Sequence, residues 1–316
     1  MRALTWRECY HYNVYQIETF ILFVMVKKAV RTIKRIKGNV EYFYLQHSFR
    51  KQGKVVTREV YLGKKIPENL DEIRAKLLSE SREALTEKLE EIRNSFQKEW
   101  RRTPPSAREN QLRELAIAFT YNTNAIEGST ITLEETRQIL DDQVAPNKPI
   151  KDIRETASHA EVFLQMLKTK ETTSKKLILD WHRKIFQETK PDIAGLFRNY
   201  SVRVGSYLAP DWRSIEQLMK KLITFIEDSS MNSVELAART HYMFEKIHPF
   251  GDGNGRIGRL LMNFILWKNN YPMLIIEYKG RKSYYKAFQQ TEEKFVNYFI
   301  RRYISVHKKH LQRETE

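Results

Sequence analysis

Apolar positions three and four residues apart dominate the chain beyond residue 69. They predict helices over Asn69–Trp100, Leu133–Leu140, Ile153–Leu167, Leu177–Phe186, Ile215–Ile226, Val234–Ile247, Ile257–Trp267 and Tyr284–Val306. Pro104-Pro105 breaks the first of these, and Ser106 is placed to cap a following helix that runs through Leu112, Leu115, Phe119 and Tyr121. Two segments alternate instead. Val40–Leu62, rich in aromatic and β-branched residues, predicts a β-hairpin turning at Lys51-Gln52-Gly53-Lys54, and the Gly-bounded Arg198–Tyr207 predicts a second, smaller one. The fold class expected is therefore mainly α. The chain divides into a small basic β-hairpin module (1–65), a linking helix (66–105) and a helical main domain (106–316).

Charge adds to this picture. The chain of 316 residues carries a formal +16, which favours an anionic partner: nucleic acid, a nucleotide or an acidic protein face. Much of the excess lies early, at Lys27, Lys28, Arg31, Lys34, Arg35, Lys37, Arg50, Lys51, Lys54, Arg58, Lys64 and Lys65 against Glu41 and Glu59. A solvated basic face and a nucleic-acid contact both fit that run. One cysteine, Cys9, excludes an internal disulfide and a cysteine metal cluster, and a cytoplasmic setting is expected. The apolar run Phe20–Val26 is far short of the roughly 20 residues of a spanning helix, so no membrane span is expected, and Met25 is an alternative start.

The chemistry concentrates in His248–Arg259, HPFGDGNGRIGR. Glycines at 251, 253 and 255 permit unusual backbone conformations just before a helix, and a Gly-rich turn at a helix N-terminus binds phosphate through unpaired amides. Arg256 and Arg259 oppose the helix dipole unless a polyphosphate neutralises them, and Asp252 among such donors calls for a cation, Mg²⁺. His248 has two readings, a cap on the preceding helix or a general base. Gly253, Gly255 and Gly258 also spell GxGxxG, with an apparent strand at Met273–Ile276 and Glu277 beyond it. A dinucleotide fingerprint requires a buried strand before its first glycine, where this chain has the helical pattern Val234–Ile247.

HPFGDGNGRIGR matches HPFxxGNGRxxR, the signature of the Fic family, at every fixed position, and the resemblance extends from about Ser106 to Tyr303. It implies a helical fold with one β-hairpin flap and, in most members, transfer of AMP from ATP to a protein hydroxyl. His248 would then deprotonate a Ser, Thr or Tyr hydroxyl. Asp252 would hold Mg²⁺, and Gly253, Asn254 and Gly255 would bind phosphate oxygens. Arg256 would stabilise the leaving pyrophosphate and Arg259 the γ-phosphate. Val202, Arg203, Val204 and Gly205 resemble the flap that takes the target segment as an added strand. Tyr284 and Tyr285 resemble a pair lining the nucleotide pocket, although helix core explains them as well.

Thr123–Gly128, TNAIEG, resembles the family's inhibitory pattern. Glu127 ends a helix, Gly128 suits the position after it, and Thr132–Glu135 reads as a capping box opening the next helix. A carboxylate at a helix C-terminus opposes the dipole unless a cation compensates, and the resemblance makes that cation Arg259. A surface glutamate in a tight turn is the alternative. The resemblance also leaves room for removal of AMP, for transfer of UMP, phosphocholine or phosphate, and for a homodimer. In another class, the chain is a nucleic-acid-binding regulator with a nucleotide-sensing domain.

Overall fold

The computed structural model describes residues 30–51, 54–205 and 207–311. Cys9, the run Phe20–Val26, Met25 and the turn residues Gln52 and Gly53 lie outside them. Among the described residues no helix is long and apolar enough to cross a membrane. The chain divides after Glu90 into two compact units.

The first unit holds an antiparallel sheet in the order β1 (Arg31–Lys37), β2 (Val40–Lys51), β3 (Lys54–Gly63). The hairpin expected from alternation is β2 and β3, and a third strand lies beside it. Four of the seven residues of β1 are basic (RTIKRIK), and only a strand whose outward side chains meet water can carry such a sequence, so alternation of charge with apolar residues concealed it. Register pairs Leu45 with Val60, and the side chains of that face join Val30, Leu62 and the start of α1 (Leu70–Arg102), at Leu70, Ile73, Leu77 and Leu78, in a small core.

The second unit is helical. α2 (Pro105–Ile126) starts on a proline, as first-turn geometry permits, so Ser106 lies inside the helix instead of capping it. Thr132 and Glu135 form the reciprocal capping box at the start of α3 (Leu133–Arg137), which widens into a π-turn over Gln138–Asp142. Next come α4 (Ile150–Lys168), α5 (Lys175–Phe186), α6 (Ile215–Asp228), α7 (Ser233–Ile247) and α8 (Asn254–Lys268). The long final helix expected at Tyr284–Val306 is two, α9 (Arg281–Phe288) and α10 (Glu292–Val306), because Thr291 opens a new helix with Glu292 and Glu293 in its first turn. Met273–Ile276 is not a strand; it is a buried extended segment whose Leu274 exchanges hydrogen bonds with the Asn263 side chain.

α8 organises the unit. Residues 256–266 are buried without a break, so its polar members must find partners inside the protein. Those members include Arg256 and Arg259.

Candidate active site

α7 ends at His248, which adopts φ 51°, ψ 61°, a left-handed conformation unusual outside glycine, while its N–H donates to the Phe244 carbonyl. The capping reading of His248 is thus borne out, and it does not exclude the other one. Burial, with Arg198 nearby, lowers the imidazole pKa, so the ring is neutral at pH 7 and able to accept a proton. A hydrogen bond with the Glu245 backbone acts in the opposite sense, and Nδ1 is buried, which leaves Nε2 as the nitrogen for an incoming hydroxyl.

The turn from His248 to α8 is held by side chains. Asn254, almost fully buried, receives the Phe250 N–H on Oδ1 (2.9 Å) and donates from Nδ2 to the Phe250 carbonyl (2.9 Å). Its side chain closes the loop. His182 on α5 stacks on Phe250 (centroids 3.8 Å apart, planes 8° apart), accepts the Gly195 N–H on Nδ1 and faces the Asp252 carbonyl with Nε2 at 3.0 Å. Accepting at Nδ1 makes Nε2 the protonated nitrogen, and burial pushes the pKa down to about 4, so this neutral tautomer persists.

Of the three loop glycines only Gly253, the N-cap of α8, has positive φ (79°). Close approach explains all three better. A Cβ would fall 2.2 Å from the Tyr200 hydroxyl at Gly251, 2.4 Å from the Phe186 ring at Gly253, and 2.1 Å from Glu127 Oε1 at Gly255. The third contact puts the inhibitory-pattern carboxylate directly on the loop.

That carboxylate is paired. Arg259, 2% exposed, donates from Nη2 to Glu127 Oε1 (2.6 Å) and to the Thr123 carbonyl (3.1 Å), and from Nε to the Thr123 hydroxyl (2.6 Å). Glu127 is the C-cap of α2, and Gly128 follows with φ 93°. The motif pair foreseen between Glu127 and Arg259 is therefore formed, and Thr123 of the same motif adds two bonds to it.

The expectation that both arginines await a polyphosphate is modified. Arg256 is neutralised by Glu155 on α4, its guanidinium lying 4.4 Å over the Phe186 ring. Glu155 also accepts from Thr189 (2.9 Å) and lies 3.1 Å from Lys190. Lys190 in turn binds Asp252, and these partners, with Arg256 nearby, hold the Asp252 pKa below the usual carboxylate range despite burial, which acts in the opposite sense. Two carboxylates and two cations thus balance beside the loop. Glu155 and Lys190 escaped the sequence reading because they come from α4 and the segment after α5, and nothing in their local pattern marks them.

Asp252 retains 48% side-chain exposure, and among the described residues no cluster of three His, Cys, Asp or Glu could hold a metal. The donor set fits Mg²⁺, which keeps waters and takes one or two carboxylates plus substrate phosphates, and would not fit a metal needing an all-protein cage.

The flap is shorter and later than Arg198–Tyr207: β4 (Arg203–Val204) pairs with β5 (Tyr207–Leu208), Val202 accepts the Ala209 N–H, and Gly205 turns at φ 59°. Arg203, Val204 and Gly205 are exposed, as an edge awaiting another strand would be. Arg198 lies before it, 4% exposed, and donates to the carbonyls of His248 (2.8 Å), Tyr200 (2.8 Å) and Pro210 (2.8 Å), locking the flap base to the loop after α7. Tyr284 and Tyr285 divide their two readings. Tyr284 is core, bonded to His241 (2.6 Å), and Tyr285 is 44% exposed with its hydroxyl on the Ile126 carbonyl beside Glu127.

The Fic/DOC family pattern matches residues 172–266, which include α5, the flap, α7 and the loop. The chain carries a Fic domain. Curated relatives of the Fic-bearing chain include the protein adenylyltransferase Fic of Nematostella vectensis, 32% identical over 60% of this chain and 46% of that protein, and that of Drosophila persimilis, 32% identical over 75% and 45%. The chain thus spans less than half the length of these relatives. Among solved structures, Fic-1 (aa134–508) from C. elegans superposes with a TM-score of 0.65 at 27% identity, covering 77% of this chain and 75% of that one. A Fic family protein from Desulfovibrio desulfuricans gives 0.60 at 25%, covering 71% and 73%. The helical Fic fold with a hairpin flap is as expected.

Proposed function

We propose that this chain transfers AMP from ATP to a Ser, Thr or Tyr hydroxyl of a protein, and that Glu127 restrains it. The observation that carries this reading is the Glu127 carboxylate seated against Gly255 and bonded to Arg259, where a Gly-rich helix N-terminus would otherwise receive an anion. The names of the curated relatives support the chemistry.

The neutral His248 imidazole takes the proton of the target hydroxyl. The hydroxyl oxygen bonds to the α-phosphorus, and the bond from that phosphorus to the bridging oxygen breaks, releasing pyrophosphate. Arg198 fixes the His248 backbone, His182 and Asn254 fix the loop amides, and the flap edge aligns the target segment by strand addition. Arg256 stabilises charge on the leaving pyrophosphate and Arg259 engages the γ-phosphate once Glu127 has withdrawn. Asp252 would hold Mg²⁺, which when bound supplies positive charge to the phosphates.

The test is incubation of wild type, Glu127→Gly and Glu127→Gly/His248→Ala with Mg²⁺ and α-³²P-ATP, followed by gel and intact mass. Label confined to Glu127→Gly, with the mass of one AMP, is the expected result. Equal label in wild type removes the restraint. No label in any of the three while ATP binds removes the AMP transfer.

A further inference from the structure

The active site leaves the first unit without a task, and its sheet has a face that the unit's own helix does not cover. Residues 31–65 contain ten Lys and Arg against two carboxylates, Glu41 and Glu59. Register assigns Leu45 and Val60 to the face packed on α1, and puts Arg31, Ile33, Arg35 and Lys37 of β1, Val40, Tyr42, Tyr44, Gln46 and Ser48 of β2, and Val55, Thr57, Glu59 and Tyr61 of β3 on the opposite one. Arg31, Arg35 and Lys37 are all exposed.

Polar groups on this face bond to one another across the three strands. Arg35 donates twice to Glu59 (2.7 and 2.9 Å), Gln46 donates to the same carboxylate (2.6 Å), and Ser48 meets Thr57 at 2.9 Å. Gln and Glu are side chains whose donor and acceptor groups match adenine and cytosine edges in a duplex major groove, while Arg35 lies on the edge strand that would follow a phosphate backbone. A groove about 12 Å wide admits a two-stranded ribbon, so β2 and β3, which carry Gln46 and Glu59, would enter it with the basic β1 along its rim. From Arg31 to Lys37 the basic strand runs about 20 Å, the length of roughly six base pairs.

The tyrosines argue against a single-stranded ligand. Stacking bases requires open ring faces. Here Tyr42 and Tyr44 are half-buried and Arg35 covers Tyr44 at 4.7 Å, so the exposed Tyr61, tilted against Tyr44 (5.3 Å, 48°) and Tyr42 (6.2 Å, 44°), is one open ring where a stacked strand needs a row of them. Duplex RNA has a deep, narrow major groove that side chains cannot read.

We propose that the open face of β1–β2–β3 is a docking surface for duplex DNA, with β2 and β3 entering the major groove and Arg31, Arg35 and Lys37 along one backbone. The proposal is independent of the transferase reading.

The test uses the full chain and a fluorescein-labelled 20-base-pair DNA duplex, followed by anisotropy from 50 to 200 mM KCl. The competing arms are the same sequence as a single strand, duplex RNA and a poly-glutamate peptide. The variants are Arg31→Ala/Arg35→Ala/Lys37→Ala and, as a control of equal charge on the second unit, Lys151→Ala/Lys170→Ala/Lys176→Ala. Circular dichroism verifies that both are folded. Wild type is expected to bind the DNA duplex most tightly. The β1 variant should lose at least about tenfold and flatten the log–log salt slope by roughly 0.9 per lost phosphate contact, whereas the control should change by less than about twofold. Equal losses in the two variants, tighter binding of the single strand, RNA or peptide, or no duplex binding at 50 mM KCl would each overturn the proposal. A charge pattern that only guards the sheet edge from pairing gives the last of these results.

Discussion

Substituting Glu127 by alanine separates the pair it forms with Arg259 from everything else in the site, and the consequence for stability can be worked from the geometry. Arg259 is buried and stays charged, since Glu127 and other neighbours raise its pKa against the effect of burial. Breaking a buried pair by removing one partner costs about 3–5 kcal/mol, because the remaining charge is left uncompensated. Two features reduce that figure here. Glu127 is 31% exposed, so water screens the pair, and Thr123 still accepts two hydrogen bonds from the guanidinium. A loss of about 2 kcal/mol follows, or about 4–8 °C in Tm for a unit of this size. The γ-phosphate of ATP should replace the missing carboxylate. In a His248→Ala background, where no transfer occurs, differential scanning fluorimetry with MgATP should therefore restore most of the loss in Glu127→Ala while shifting the Glu127 parent far less. ADP, lacking the γ-phosphate, should restore little. The reasoning is refuted if Glu127→Ala melts at the parent temperature, or if ATP and ADP stabilise it equally.

Three other outcomes follow from the same structure. Arg198→Lys should cost about 3 kcal/mol in urea unfolding and should lower transfer activity in the Glu127→Ala background, because one ammonium cannot reproduce the planar fork serving the His248, Tyr200 and Pro210 carbonyls. Gly255→Ala should abolish ATP binding by isothermal titration even in Glu127→Ala, since the methyl projects into the volume the anion needs; retained binding would show that the phosphates lie elsewhere. Burial lowers the pKa of His159 and His241 to about 3 and of His182 and His307 to about 4. Between those values and the unfolded pKa near 6.5 the unfolded chain binds more protons, so stability is lost as pH falls through that window, by up to about 1.4 kcal/mol per pH unit for each histidine. Burial of Glu245 raises its pKa to about 8, which contributes stability at low pH that is lost as pH rises toward 8 and so opposes the trend. With four histidines against it, the urea midpoint should still rise from pH 4 to 6.5, and a flat profile would contradict the assignment.

Local signals carried much of the answer. The 3.6-residue periodicity marked the helices of the second unit because each buries one stripe, and the Thr132–Glu135 capping box formed because its partners lie three residues apart. The loop from His248 to Arg259 was legible for the same reason: its glycines, histidine and arginines are consecutive, and their chemistry shows in the order of the residues. Glu127 was legible as a carboxylate misplaced at a helix end, and the cation it required followed from the family motif.

Tertiary structure alone decided which charges meet. Glu155 from α4 neutralises Arg256, Lys190 binds Asp252, and Arg198 and His182 clamp a loop 50 and 70 residues away in sequence. None of these four has a local pattern that separates it from a surface residue, because a helix displays its polar side chains in the same rhythm whether water or another charge waits opposite. The conformation of the loop was decided in the same way: Gly251 and Gly255 are glycine because Tyr200 and Glu127 arrive from elsewhere in the chain, not because their own backbone demands it. Sequence determines what a residue can do within one turn of its own element, and packing determines what it is placed against, which is where an ion pair or an anion site acquires its energy.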